Sequence, residues 1–184
     1  IIYNMALTII RENDDFNMIK FGLTMLKCIG EEQDLELFQM FSNHNDFIFY
    51  AIEGVKEQKL CNSIIFNIAK GAKGYGRLIS VASLEPLSEE IKEWLIVEAN
   101  KNNLLEEFVT LVTFDDDEYV NYFFNKRVSK KKYNILTRNL KLLYESKEFF
   151  STQISFYMIV GYYFKYFNKY DVNFENLYVL TALS

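Results

Sequence analysis

Proline occurs once in this 184-residue chain and glycine seven times. That is too little turn chemistry for a sandwich or barrel, which needs a turn signal about every 8–12 residues. Histidine also occurs once and cysteine twice, which leaves little for metal or thiol chemistry. We therefore expect no metal, no cofactor and no catalytic residues. No apolar run approaches the roughly 18 residues of a membrane span. The nearest, Ile154 to Phe164, is broken by Ser155 and ends at Lys165, so we expect no membrane association. The start lacks a basic region and a small-residue cleavage site, which argues against a signal peptide. The first residue is Ile and not Met, which suggests a chain beginning inside a longer one.

What is present is an apolar, aromatic and mildly acidic chain. Half of its residues are hydrophobic, 17% are aromatic and 24% are charged, which excludes a disordered class. The net charge of -5 gives no general attraction to nucleic acid or anionic lipid. Residues 1–100 carry 9 Lys+Arg and 15 Asp+Glu, and residues 101–184 carry 11 and 10. Any basic surface is thus expected in the C-terminal half. Cys28 and Cys61 sit in apolar helical patterns and read as small buried side chains in a reducing cytoplasm.

Helical periodicity dominates the chain. From Asp14 to Ile29, Asn17, Lys20, Thr24 and Lys27 form a single narrow polar stripe. Such a helix is expected to be covered on two sides, with Asp14 or Asp15 as N-cap and Gly30 just past its end. Further helices are expected over 34–41, 46–59, 62–72 with Asn62 as cap, and 77–84 after a glycine break. Others follow over 89–100 capped by Ser88, 102–113, 119–126 behind the Asp115-x-x-Glu118 box, 130–147 and 149–170. About ten short helices with short links predict an all-α fold. The preferred architecture is an α–α superhelix, a HEAT- or armadillo-like solenoid of antiparallel helix pairs. It would form a single domain over 1–184, with aromatic-rich capping helices over about 130–184.

Specific residues carry a resemblance. Phe21-Gly22-Leu23, Asp46-Phe47-Ile48-Phe49-Tyr50-Ala51 and Lys70-Gly71-Ala72-Lys73-Gly74-Tyr75-Gly76-Arg77-Leu78-Ile79 are its first parts. Leu84-Glu85 and Ile91-Lys92-Glu93-Trp94-Leu95-Ile96-Val97-Glu98-Ala99-Asn100-Lys101-Asn102 complete it. Over residues 21–111 the chain resembles an uncharacterised bacterial family of HEAT-like helical-repeat proteins. It departs from that pattern at Tyr75, where the family has Trp, and at Ala99, where it has Gly. The resemblance implies a bacterial cytoplasmic helical-repeat protein and no catalytic residues.

The candidate site residues are Lys70, Lys73, Gly74, Tyr75, Arg77, Trp94 and Glu98. Glycine amides at a helix start flanked by Lys70, Lys73 and Arg77 suit an anion. A tight interhelical corner is the plainer explanation. Trp94 beside a buried Glu98, with Tyr50 and Tyr75, would suit a carboxylate-based small-molecule enzyme, and Glu53 is a second carboxylate for that role. Lys126-Arg127-Val128-Ser129-Lys130-Lys131-Lys132 would suit nucleic-acid phosphates or an acidic partner, or be a solvated helix start. Asp115 to Glu118 and Glu31, Glu32 and Asp34 read as helix caps, and His44 as a turn residue. Aromatic residues from Tyr144 through Phe149, Phe150, Phe156, Tyr157, Tyr162, Tyr163, Phe164, Tyr166 and Phe167 to Tyr170 read as core or as an interface. The expected function is a non-catalytic scaffold for a protein or peptide, with homo-oligomer contacts through the aromatic C-terminal helices. The alternative is nucleic-acid binding or base repair, for which HEAT-like stacks are also used, through the Lys and Arg of 70–77 and 126–132.

Overall fold

The computed structural model describes residues 1–29, 32–57, 61–124, 128–148, 154–170 and 172–183. All regular structure among them is helical. They fall into two compact units, Ile1–Glu85 with Asn102–Leu104, and Pro86–Lys101 with Leu105–Ser184.

The first unit holds α1 (Ile2–Glu12), α2 (Phe16–Ile29), α3 (Leu35–Phe41), α4 (Ile48–Lys56), α5 (Cys61–Gly71) and α6 (Gly74–Ala82). Consecutive helices pair as α1 on α2, α3 on α4 and α5 on α6, while α2, α4 and α6 also pack in a row. Asp15 starts α2, its Oδ1 accepting the Asn17 N–H at 2.7 Å. The sequence places nothing before Asp14, yet α1 is there, because Ile2, Ala6, Ile9 and Ile10 make one face, of which the last three are buried.

α2 packs on both α1 and α4, yet part of its apolar surface stays open. Ile19, Gly22, Leu23 and Leu26 are buried, while Met18, Phe21 and Ile29 are exposed. Cys28 shares that open face, and Cys61 is half-buried; both are free thiols. Gly30 lies outside the described residues. The α3–α4 contact needs a glycine, since a Cβ at Gly54 would fall within the buried Phe38 ring. Asn62 is not a cap either. It stands inside the first turn of α5, and its carboxamide clips the Glu85 backbone, accepting from N–H and donating to C=O at 2.8 Å each. The clip pins the chain at Glu85, just after the end of α6.

The second unit holds α7 (Glu89–Val97), α8 (Glu106–Thr113), α9 (Asp116–Phe124), α10 (Lys130–Glu145), α11 (Ile154–Phe167) and α12 (Phe174–Leu183). Here α8, α10 and α12 pack in one row, and α7, α9 and α11 in another. Ser88, Ser129 and Asp115 act as side-chain caps, accepting from the amides of Ile91, Lys132 and Glu118. The Glu118 carboxylate, expected to close the box, pairs instead with Lys92 Nζ at 2.9 Å. α8 starts at Glu106 and not 102, because Leu105 takes the left-handed conformation at φ 59 and the Asn102 side chain turns onto nearby backbone. α12 adds a second helix to the expected ten; its apolar residues fall around much of its circumference, so its period is faint.

The core of this unit is aromatic. Tyr119, Phe123, Tyr133 and Tyr163 are fully or almost fully buried with Leu136, Leu140 and Ile159. Tyr133 stacks on Tyr163 with centroids 5.2 Å apart and planes 11° from parallel. Within the described residues no helix is long and apolar enough to cross a membrane.

Candidate functional site

The glycine corner between α5 and α6 is tied to the protein's own backbone. Gly74, at φ 59, adopts the left-handed conformation that glycine accepts most readily. Its N–H donates to Asn102 Oδ1 at 2.7 Å, and Asn102 Nδ2 donates back to the Gly74 carbonyl at 3.0 Å. Arg77 is 7% exposed. Its guanidinium donates to the carbonyls of Ala69 and Lys70 at 2.8 and 3.2 Å, capping the end of α5. The corner thus uses its Gly74 amide and its Arg77 charge internally. Lys70 is exposed, its ammonium 4.2 Å from the Phe66 ring centre. Lys73 and Tyr75 are exposed.

Trp94 and Glu98 stand in the second unit, while Tyr50 and Tyr75 belong to the first. Glu98 is 45% exposed and paired with Lys101 at 2.7 Å, so it is not the buried carboxylate that the indole suggested. Glu53 is held between Lys27 and Lys56 at 2.8 and 2.7 Å. Hydrogen bonds from those two ammonium groups keep its carboxyl below the usual range, and the Lys27 ammonium is raised in turn. A carboxyl held ionised in this way is poorly suited to act as a general acid.

The basic run is partly absorbed as well. Lys132 Nζ donates to the Tyr122 carbonyl at 2.5 Å and lies 3.9 Å from that ring's centre. Burial, then the Glu93 carboxylate, pushes the Tyr122 hydroxyl up to about 12. Lys130 and Lys131 are exposed at the start of α10; Lys126 and Arg127 lie outside the described residues.

Two features remain open. One is a cleft of about 770 Å³ in the first unit, between the α3–α4 turn and α5. Gln39, Asn43, His44, Asn45 and Asp46 line one side; Ile64, Asn67, Ile68 and Gly71 line the other, with Lys73 at the corner. Lys73 is the one sequence candidate that reaches it. Sequence reasoning passed over Gln39, Asn45 and Asn67, although Asn67 lies on one face of α5 with Ile64, Ile68 and Gly71.

The other feature is the outer face of α11. Ile159 and Tyr163 are fully buried, while Ile154 is 80%, Tyr157 65% and Met158 47% exposed. Gly161 and Phe164 continue that face, and a Cβ at Gly161 would meet nothing within 4 Å. In the next helix Phe174 and Leu177 are exposed one turn apart. The aromatic load therefore divides between core and surface. Phe149 and Phe150 lie outside the described residues.

Comparisons with protein-family models, curated proteins and solved structures each find no match. The likeness of residues 21–111 to the HEAT-like family rests on the quoted residues alone.

Proposed function

We propose that this protein is a non-catalytic helical scaffold that binds another protein. Its helix pairs would stack as a HEAT- or armadillo-like superhelix. The observation that carries the binding reading is the outer face of α11, where Ile154, Tyr157, Met158 and Phe164 meet solvent at helical spacing. Contiguous exposed apolar side chains mark interaction surfaces, and tyrosine and methionine are enriched in such interfaces. Support for the stacked architecture comes from the rows within each unit, where helices two apart pack on one another. The proposed place of action is the cytoplasm, where the free thiols of Cys28 and Cys61 stay reduced.

The test is capture from a bacterial lysate, with and without nuclease, using the wild-type chain and a Tyr157→Glu, Met158→Glu double variant. A defined protein that survives nuclease and is lost from the variant is the expected result. Recovery that depends on intact nucleic acid would overturn the reading. Light scattering on the same two proteins separates a second copy of this chain from a foreign partner.

A further inference from the structure

We propose that the cleft between the α3–α4 turn and α5 holds a short stretch of extended polypeptide, its peptide groups paired with the carboxamides of Gln39 and Asn67. The proposal rests on the scaffold reading only in taking a polypeptide as the partner.

Gln39 and Asn67 are exposed on the walls of the cleft, while Asn45 Oδ1 is turned onto α6, 2.7 Å from where a Cβ on Gly76 would stand. Among the described residues neither Gln39 nor Asn67 makes a side-chain hydrogen bond. A carboxamide presents a donor and an acceptor in one plane. A peptide unit presents the same two groups, and both must be satisfied once water leaves. Pairing between the two is therefore reciprocal, and it does not depend on the sequence of the bound chain.

The apolar part of the cleft suits the side chains of such a ligand. Ile64, Asn67, Ile68 and Gly71 follow one another at i, i+3, i+4 and i+7, so one face of α5 offers Asn67 between two isoleucines. Gly71 leaves open space where a side chain would stand. In an extended ligand, alternate side chains point the same way. Those pointing inward meet Ile64 and Ile68, while the main chain runs past the amides. The volume of about 770 Å³ lies within the roughly 300–1,000 Å³ of ligand sites.

Other ligand classes fit less well. The charged lining residues among those described are Asp46 and Lys73, of opposite sign, so a phosphate backbone would meet one cation beside a carboxylate. Bases and sugars are commonly held by stacking on aromatic faces. The only ring among the described lining residues is the His44 imidazole, which packs edge-on with Phe47.

The experiment selects peptides on the intact protein from a random displayed library, then measures a fluorescein-labelled selected peptide by polarisation. Three proteins are compared: wild type, the double variant Gln39→Ala with Asn67→Ala, and the α11 variant Tyr157→Glu with Met158→Glu. The same peptide is also made with single backbone N-methyl groups, a test that leaves the protein untouched. We expect the cleft variant to lose at least tenfold in affinity and the α11 variant to bind as wild type does. N-methylation is expected to cost as much at the positions whose N–H faces the amides, and little at their neighbours. Binding that ignores the cleft variant and every N-methyl group overturns the proposal. If that binding is lost in the α11 variant, the scaffold reading stands while the cleft proposal falls. A library that yields no binder also overturns the cleft proposal and leaves the scaffold reading to lysate capture.

Discussion

Asn100 and Asn139, 39 positions apart, meet inside the second unit, the Asn100 carboxamide donating to Asn139 Oδ1 at 2.7 Å. Asn139 Nδ2 in turn donates to the Ile96 carbonyl and to the Tyr119 hydroxyl at 2.9 and 2.8 Å. Arg138 closes the group from outside, reaching Asn100 Oδ1 at 3.1 Å and the Glu106 carboxylate at 3.1 Å. One buried amide thus joins the end of α7, the start of α9 and the middle of α10. Replacing it strands several polar groups at once. Asn139→Leu is expected to cost about 2–4 kcal/mol, more than one ordinary hydrogen bond, since each stranded group costs about 1–3. Urea denaturation checks this, and a change below about 0.5 kcal/mol would remove the network from the account of stability.

Tyr133 gives the opposite expectation. Its hydroxyl is buried and makes no well-formed hydrogen bond among the described residues, although the Tyr163 and Thr137 hydroxyls lie near it; burial first, and then Tyr163, push its pKa up. Removing the hydroxyl leaves the stacked ring in place. Tyr133→Phe should therefore keep or raise stability by up to about 1 kcal/mol, whereas Tyr119→Phe should lower it by about 1. A thermal melt of the two variants side by side decides the matter.

Glycine substitutions divide by space. At Gly54 an added methyl meets the Phe38 ring, and overpacking of about 1–3 kcal/mol outweighs the roughly 1 kcal/mol that alanine gains in a helix. At Gly161 nothing lies within 4 Å, so only the helix gain remains. Gly54→Ala should lower the melting temperature and Gly161→Ala should raise it. The same direction for both would contradict the α3–α4 packing.

The Lys27–Glu53–Lys56 group sets a pH dependence for the α2–α4 contact. The Glu53 pKa lies below its ordinary 4.5 in the folded protein, so the unfolded chain takes up that proton first. Its contribution is complete above the unfolded value and is lost as pH falls through the folded one. Lys27 is raised above 10.5, so its contribution is complete below that value and is lost as pH rises through the folded one. Glu53→Gln should flatten the acid side of the stability curve. An unchanged acid limb in that variant would show that the ion pairs contribute nothing.

Ser88 and Asp115 were legible as caps because capping is local, with donor and acceptor three residues apart. Asn62 was not, because its real partner is the Glu85 backbone, 23 positions along. The same holds for Glu98: nothing in its spacing from Trp94 shows that Lys101 neutralises it at the surface. Of the residues that line the cleft, the sequence points to Lys73 and the Gly71 corner for an anion, a chemistry that the neighbouring Gly74 and Arg77 do not offer, and to His44 as a turn residue.

The sequence by itself determined that the protein is helical and, to within about four residues, where α2 to α10 lie. Period, caps and breakers act over a few residues and need no knowledge of the rest of the chain. Only the tertiary structure decided which faces are covered. α2 and α11 are both apolar nearly all round, yet each leaves part of its apolar surface in water. Burial depends on which distant helix arrives and how closely it packs, and that is a property of the assembled chain.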